Sequence, residues 1–239
     1  MVPDIDGKLH HFANVGLYDG LFVMQDAETK TMWNHITGEA LYGPLVGHNL
    51  GPVGNLLQMN VKQALAMDPK MLIAISDRIY FAGGRQFGSA GEAPLGGSRQ
   101  NGPKPDAEMV GRFVPTLGKE DPRRPRMELG LGVWSNATRR YYPMERIRER
   151  GRAFIDQLDG RKVLIFVNSE TNTPAALFVN ASSAKMQDNE VRLDNGVVVR
   201  DGVLFDRAGK RQAMERPHQV FSRWYGFALT FPGCEVFGQ

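Results

Sequence analysis

Apolar residues in this chain fall mostly into short runs broken by turn formers, the pattern of strands rather than of long helices. Residues 20–24 (Gly-Leu-Phe-Val-Met) make one such run, Asp26-Ala27-Glu28-Thr29-Lys30 a polar turn, and residues 31–33 a returning strand. Asn60 stands three residues before Gln63, a capping-box spacing, and Val61, Ala64 and Leu65 give the short helix behind it an apolar face. Asp68-Pro69 stops that helix, and residues 71–75 read as a buried strand. Further on, strands are predicted around 129–134 and 139–142. A helix follows Pro143, with Met144 and Ile147 facing inward and Gly151 ending it. Residues 162–167 (Lys-Val-Leu-Ile-Phe-Val) are apolar almost without interruption, which predicts a strand covered on both faces. Asp194-Asn195-Gly196 and Asp201-Gly202 are hairpin signals. Val220, Trp224, Phe227 and Phe231 recur at helical spacing, predicting an amphipathic helix over 219–230, a stop at Pro232 and a last strand over 234–237.

Both halves of this pattern close alike, with a short helix, a proline and a brief apolar strand (64–67, Pro69, 71–74 against 227–230, Pro232, 234–237). Ahead of the closing helices, 23–30 and 204–210 share a strand, an aspartate and a turn, with Asp26 matching Asp206 and Lys30 matching Lys210. The expectation is an α+β fold, mostly β, made by duplication with divergence. Its parts are a first β-rich repeat over 1–80, a Gly/Pro-rich linker or long loop over 81–126, and a second, more complete repeat over 127–239. The linker shows neither a period of 2 nor of 3.6, and it lacks the Gly-Lys-Ser/Thr step of a phosphate-binding loop.

Composition changes this picture little. The hydrophobic fraction of 42% and charged fraction of 23% over 239 residues suffice for a real core. The single cysteine, Cys234, excludes an intramolecular disulfide or an all-Cys zinc site and reads as a small core residue. Net charge is +3, with arginines gathered at 123–126, 139–140 and 146–152. Glu145 and Glu149 alternate with the last group, which argues for a solvated helix face and against a nucleic-acid stripe. No apolar run reaches the length of a membrane span, and the chain from Met1 carries no signal peptide. As given, that points to the cytoplasm; a signal upstream of Met1 would point to export.

The run Asp26-Ala27-Glu28-Thr29-Lys30-Thr31-Met32-Trp33-Asn34-His35-Ile36-Thr37-Gly38-Glu39-Ala40, with Gly43-Pro44-Leu45, Gly47 and Leu50, resembles the signature of domain of unknown function family 3179, a family of bacterial and archaeal proteins. Arg140-Tyr141-Tyr142-Pro143, Asp156-Gln157-Leu158-Asp159-Gly160-Arg161 and Phe221-Ser222-Arg223-Trp224 through Phe231-Pro232 are similar to later motifs of the family. The resemblance implies that members start the first repeat with a Tyr-Pro, a His-Glu-x-x-Asn-Asp and a Tyr-Cys-Pro-x-Cys segment. This chain has none of them, so the first repeat reads as shortened at its start. Asn168 and Thr171 stand where the second repeat's paired cysteines would fall. Thiol or metal chemistry is therefore not carried over from the family, and the resemblance implies no established reaction.

The block around Asp26 reads first as structural, with Asp26 and Thr29 satisfying turn amides. As a site, its candidate ligand-binding residues are Asp26, Trp33, His35, Glu39 and His48, beside Glu28, because imidazoles and carboxylates serve metal binding and acid–base work. Trp33 and His35, two apart on a predicted strand, would share a face. No His-x-x-x-His helix and no Gly-x-Ser-x-Gly elbow occurs, so neither a metal, a cofactor nor a catalytic residue is assigned. His10 and His11, as strand neighbours, would point to opposite faces and could not both ligate one ion. The leading expectation is a non-catalytic module that binds a small molecule or a protein partner, with Trp33 and the Gly-Pro-Leu turn shaping its pocket. The alternative is a metal-assisted hydrolase or redox enzyme using His35, Glu39 and His48. The sequence sets no oligomeric state.

Overall fold

The computed structural model describes residues 4–51, 54–72, 80–82, 85–87 and 114–239. Strand is the predominant regular structure among the described residues, with short helices between. In the first half, β1 (Asp4–Ile5) and β2 (Lys8–Leu9) form a small ribbon. β3 (Phe12–Tyr18), β4 (Leu21–Asp26), β5 (Met32–Asn34) and β6 (Ala40–Tyr42) follow as an antiparallel meander. Asp19 and Gly20, both at positive φ, make the tight turn from β3 to β4. Helix α1 (Val61–Met67) starts with the predicted capping box, Asn60 and Gln63 each accepting from the other's backbone N–H. The ribbon of β7 (Tyr80–Ala82) and β8 (Arg85–Phe87) comes next. Residues 71–72 of the strand predicted over 71–75 are irregular, and the rest of it lies outside the described residues, as does most of the Gly/Pro-rich stretch.

The second half contains three stacked sheets. β9 (Leu129–Trp134) and β10 (Arg139–Pro143) lead into helix α2 (Met144–Glu149). β11 (Ala153–Leu158), β12 (Arg161–Val167) and β13 (Pro174–Phe178) form the middle sheet. β14 (Ala184–Gln187), β15 (Glu190–Leu193), β16 (Val198–Arg200) and β17 (Val203–Phe205) form a second meander. β18 (His218–Arg223), helix α3 (Trp224–Thr230) and β19 (Glu235–Val236) return to β9 and β10, giving the sheet order β18-β9-β10-β19.

The unbroken apolar run of β12 has a direct cause. Val163, Ile165 and Val167 pack with Leu131, Tyr142 and Ile147 on one side, while Leu164 and Phe166 pack with Val191, Val199 and Leu204 on the other. A strand buried on both faces has no polar position to alternate, and each such side chain contributes about 1.5–3 kcal/mol of burial. The far face of the β9–β10 sheet carries Tyr141, which packs with Trp224, Phe227 and Cys234.

The helix expected over 219–230 is half strand. Residues His218–Arg223 pair with β9 along their whole length, Gln219 opposite Val133 and Phe221 opposite Leu131. Only Trp224–Thr230 is helical. The ladder offered by β9 outweighs the 3.6-residue spacing of Val220 with Trp224, a case of tertiary pairing overriding a local signal.

Of the arginine groups, Arg123 pairs with Asp121, Arg124 with Glu128, Arg126 with Glu120, Arg140 with Asp156 and Glu235, and Arg146 with Glu149. Cys234 is buried, and burial pushes its thiol up to about 11. At pH 8 a thiol-reactive dye should therefore label the native chain about 100-fold more slowly than the denatured chain, since two pKa units remove that much thiolate. Equal rates in the two states would contradict this burial.

Candidate functional site

The block that drew attention in the sequence folds around Asp26. This aspartate ends β4 and opens the turn to β5, in which Lys30 adopts positive φ. Asp26 is fully buried. Its Oδ1 accepts the Thr29 N–H at 2.5 Å, its Oδ2 accepts the Trp33 indole N–H at 2.8 Å, and the Thr29 hydroxyl donates to it as well. Burial alone would raise the carboxyl's pKa. The donated bonds from Trp33 and Thr29, with the nearby His10 imidazole, outweigh it and hold the group down to about 2. Trp33 is itself fully buried and meets Phe12 edge-on at 6.1 Å. Gly43, at φ 116°, passes so close to Thr31 that a Cβ there would sit 2.8 Å from the Thr31 Cα. The Gly-Pro-Leu turn thus closes over this core.

Asp26 and Trp33 are brought together; His35, Glu39 and His48 do not gather their donor atoms into one group among the described residues. His35 lies beyond the end of β5, in a turn that the Asn34 side chain organises by accepting the Ile36 and Thr37 N–H groups. It therefore does not share a strand face with Trp33, and its Nδ1 is 2.8 Å from the Phe22 carbonyl. Glu39 is exposed and accepts from Thr37, while the His48 Nδ1 is 3.1 Å from the Leu45 carbonyl. Each of the three is engaged separately, His35 by a β4 carbonyl, Glu39 by a neighbouring hydroxyl and His48 by a carbonyl three residues back.

A different cavity has the character of a site. It lies where residues 56–67 dock on the second half, and its volume is about 40 Å³. The docking is specific: Asn55 donates to the Pro217 carbonyl and accepts the Gln219 N–H, Thr173 donates to the Gln58 carbonyl, and Asn60 and Lys62 both reach Glu170. Arg211 caps the far end by donating to the Ala66 and Met67 carbonyls.

Seven residues with polar side chains, the carboxylate Asp201 among them, line this cavity beside apolar ones such as Leu131, Phe166 and Phe221, and three of the seven have partners that set its chemistry. Gln219, buried at the start of β18, behaves like an added strand, its amide accepting from Ala176 N–H at 2.7 Å and donating to the Ala176 carbonyl at 3.0 Å. Arg216 donates to the Ala176 and Gly202 carbonyls at 3.2 and 3.1 Å. No carboxylate among the described residues forms an ion pair with it, and burial lowers its pKa to about 10. Gln63 is 1% exposed, and its Nε2 has no hydrogen-bond partner. The capping box fixes which end of that amide faces the cavity, because Oε1 is already committed to the Asn60 N–H at 3.1 Å. A desolvated guanidinium and an unpartnered amide donor therefore line one small cavity.

Sequence reasoning identified Gln63 only as a cap. The signal it missed is that a capping box uses the Gln oxygen and leaves its NH₂ free. Nothing local marks Arg216, which reaches the cavity through pairing with distant carbonyls.

A family model described as Protein of unknown function (DUF3179) matches residues 2–228. No curated protein and no solved structure matches the chain.

Proposed function

The chain belongs to the DUF3179 family of proteins of unknown function, so its chemistry has to be read from its own residues, and we propose that it is a binding module whose site takes the anionic head of a small ligand. The observation that carries this reading is the pairing of Arg216, which has no ion-pair partner among the described residues, with the orphan Nε2 of Gln63 in one cavity. A buried donor without an acceptor costs about 1–3 kcal/mol, and a desolvated cation costs more, so an oxyanion placed there would relieve both. About 40 Å³ suits a carboxylate-sized head and not a whole drug-sized molecule, which needs several hundred Å³. The body of the ligand would then extend past Leu56, which is 77% exposed beside the cavity. A short-chain carboxylate with an apolar tail fits these demands. His35, Glu39 and His48, engaged separately, give the competing enzyme reading no shared centre.

Calorimetric titration of the full chain with acetate, butyrate, hexanoate and inorganic phosphate tests the reading. Affinity should rise along the carboxylate series, and Arg216→Met should weaken it at least about tenfold, the loss of one charge-assisted bond. Equal binding by the wild type and Arg216→Met would reject the site, as would no heat from any of the four anions.

A further inference from the structure

The Asp26 turn contains an arrangement that neither the core nor the cavity explains. Phe12 pairs with Asp26 at the start of the β3–β4 ladder, and the Ala27 N–H donates to the His11 carbonyl just beyond it at 2.8 Å. In an antiparallel pair each step back on one strand is a step forward on the other, so His10 comes to lie across from Glu28. Two residues from the chain's start are thus carried to a turn 16 to 18 positions later. His10 is 3% exposed, and its Nδ1 makes no hydrogen bond. That atom lies 3.4 Å from the Asp26 Oδ1 and 3.8 Å from the Glu28 Oε2, and one donor atom from each of the three residues falls within 4.8 Å of the others.

We propose that His10, Asp26 and Glu28 bind a divalent transition-metal ion of the zinc class. Zinc bonds to nitrogen and oxygen at about 2.0–2.2 Å, so the edge of its tetrahedron is roughly 3.3–3.6 Å. The separations of 3.4 and 3.8 Å are close to such an edge and longer than the roughly 2.9 Å edge of a magnesium octahedron at its 2.0–2.1 Å bonds. An imidazole nitrogen among the ligands also favours zinc over magnesium or calcium. Two carboxylates and a neutral imidazole sum to the charge that offsets a divalent cation. Three protein ligands leave one position of the tetrahedron open.

The outer shell is also in place. Trp33 and Thr29 fix Asp26. His11 fixes Glu28, its Nδ1 lying 2.7 Å from Oε1 and its backbone N–H donating to Oε2 at 2.9 Å. Ligands oriented in this way are what a bound metal needs. His10 and His11 lie between β2 and β3 rather than within a strand; one is buried and the other exposed, yet both meet Glu28, one as a ligand and the other as its support. The Glu28 side chain is 33% exposed, so the ion reaches the buried imidazole from that side.

Full-length chain purified without chelator, stripped by dialysis and reloaded with zinc, should hold one zinc per chain by elemental analysis. Its thermal midpoint should rise with zinc and fall back with chelator. Loaded with cobalt, it should show the strong visible absorption of a tetrahedral site. Glu28→Gln tests the ligand without emptying the core, and zinc affinity should drop at least about tenfold, with His11→Ala giving a smaller loss. His10→Ala should abolish binding; if that variant does not fold, Glu28→Gln and the cobalt spectrum still decide. Failure to take up zinc on reloading would overturn the proposal, as would zinc retained in full by Glu28→Gln or the weak spectrum of octahedral cobalt. None of these readouts depends on Arg216, so the cavity and the metal site stand or fall separately.

Discussion

Replacing Trp33 with alanine should lower the free energy of unfolding by about 4 kcal/mol, within the usual cost of deleting a fully buried large aromatic. Two losses combine. The indole ring leaves a void beneath Phe12, and Asp26, buried and ionised, loses the N–H that holds its Oδ2. Trp33→Phe separates them, because it keeps most of the apolar volume and removes only the donor; a hydrogen bond to a charged group is worth about 1.5–3 kcal/mol, and the loss should fall in that range. Denaturant midpoints followed by far-UV circular dichroism, in the presence of chelator to exclude any bound ion, give both values. A Trp33→Ala chain within about 1 kcal/mol of the wild type, the scale of an average point substitution, would mean that the Asp26 turn is not part of the folded core.

The second large effect is expected at a glycine. Gly132 lies in β9 opposite Tyr141 on one side and Val220 on the other. A Cβ added there would overlap the Cδ2 and Cε2 atoms of Phe227. That ring cannot step aside. It is fully buried, with Tyr141 at 5.6 Å and Phe231 at 4.9 Å between ring centres. Gly132→Ala should therefore cost about 3 kcal/mol, the upper end of what overpacking a dense core does. Gly16 is the control, because its added Cβ meets nothing within 4 Å and its backbone is not at positive φ. Gly16→Ala should be neutral or stabilising by about 0.4–1 kcal/mol, through loss of freedom in the unfolded chain. Chemical denaturation of the pair checks this. If Gly132→Ala is no worse than Gly16→Ala, α3 does not pack on β9 as described.

The legible parts of this fold are those whose physics is local. β12 announces itself because both of its faces are buried and every position from Val163 to Val167 is apolar. The α1 cap was readable because Asn60 and Gln63 satisfy each other within one turn. The first half of the helix expected over 219–230 misled because β18 is held by β9, some 90 residues earlier in the sequence, and no local pattern encodes that partner. The Asp26–Trp33 pair was half legible. That Asp26 satisfies a turn amide is readable, as the Thr29 N–H bond bears out, but its burial against the Trp33 indole is not, because nothing in a turn-rich run tells which donor reaches the second carboxylate oxygen. His10 was hidden more deeply. Its place opposite Glu28 follows from the register of the β3–β4 hairpin, and a bulge between Asn14 and Gly16 shifts that register by one. Beyond the free amide of the Gln63 cap, the Arg216 cavity left no sequence trace, because its walls come from segments separated by more than 100 residues, as in the bond from Thr173 to Gln58.

The docking of residues 54–67 on the second half makes any occupant of the cavity a clamp. One wall belongs to α1 and its approach, while Arg216 and Gln219 belong to the other side. A ligand touching both sides can bind only while the segment is seated. Mass action then ties occupancy to closure: at a hundred times its dissociation constant a ligand adds about 2.7 kcal/mol to the seated state. Cleavage by a protease acting on the undocked segment would slow about a hundredfold under that load, provided opening and reclosing are fast beside cleavage. The rate at which the chain is cut between 54 and 67 therefore becomes a gauge of what the cavity holds.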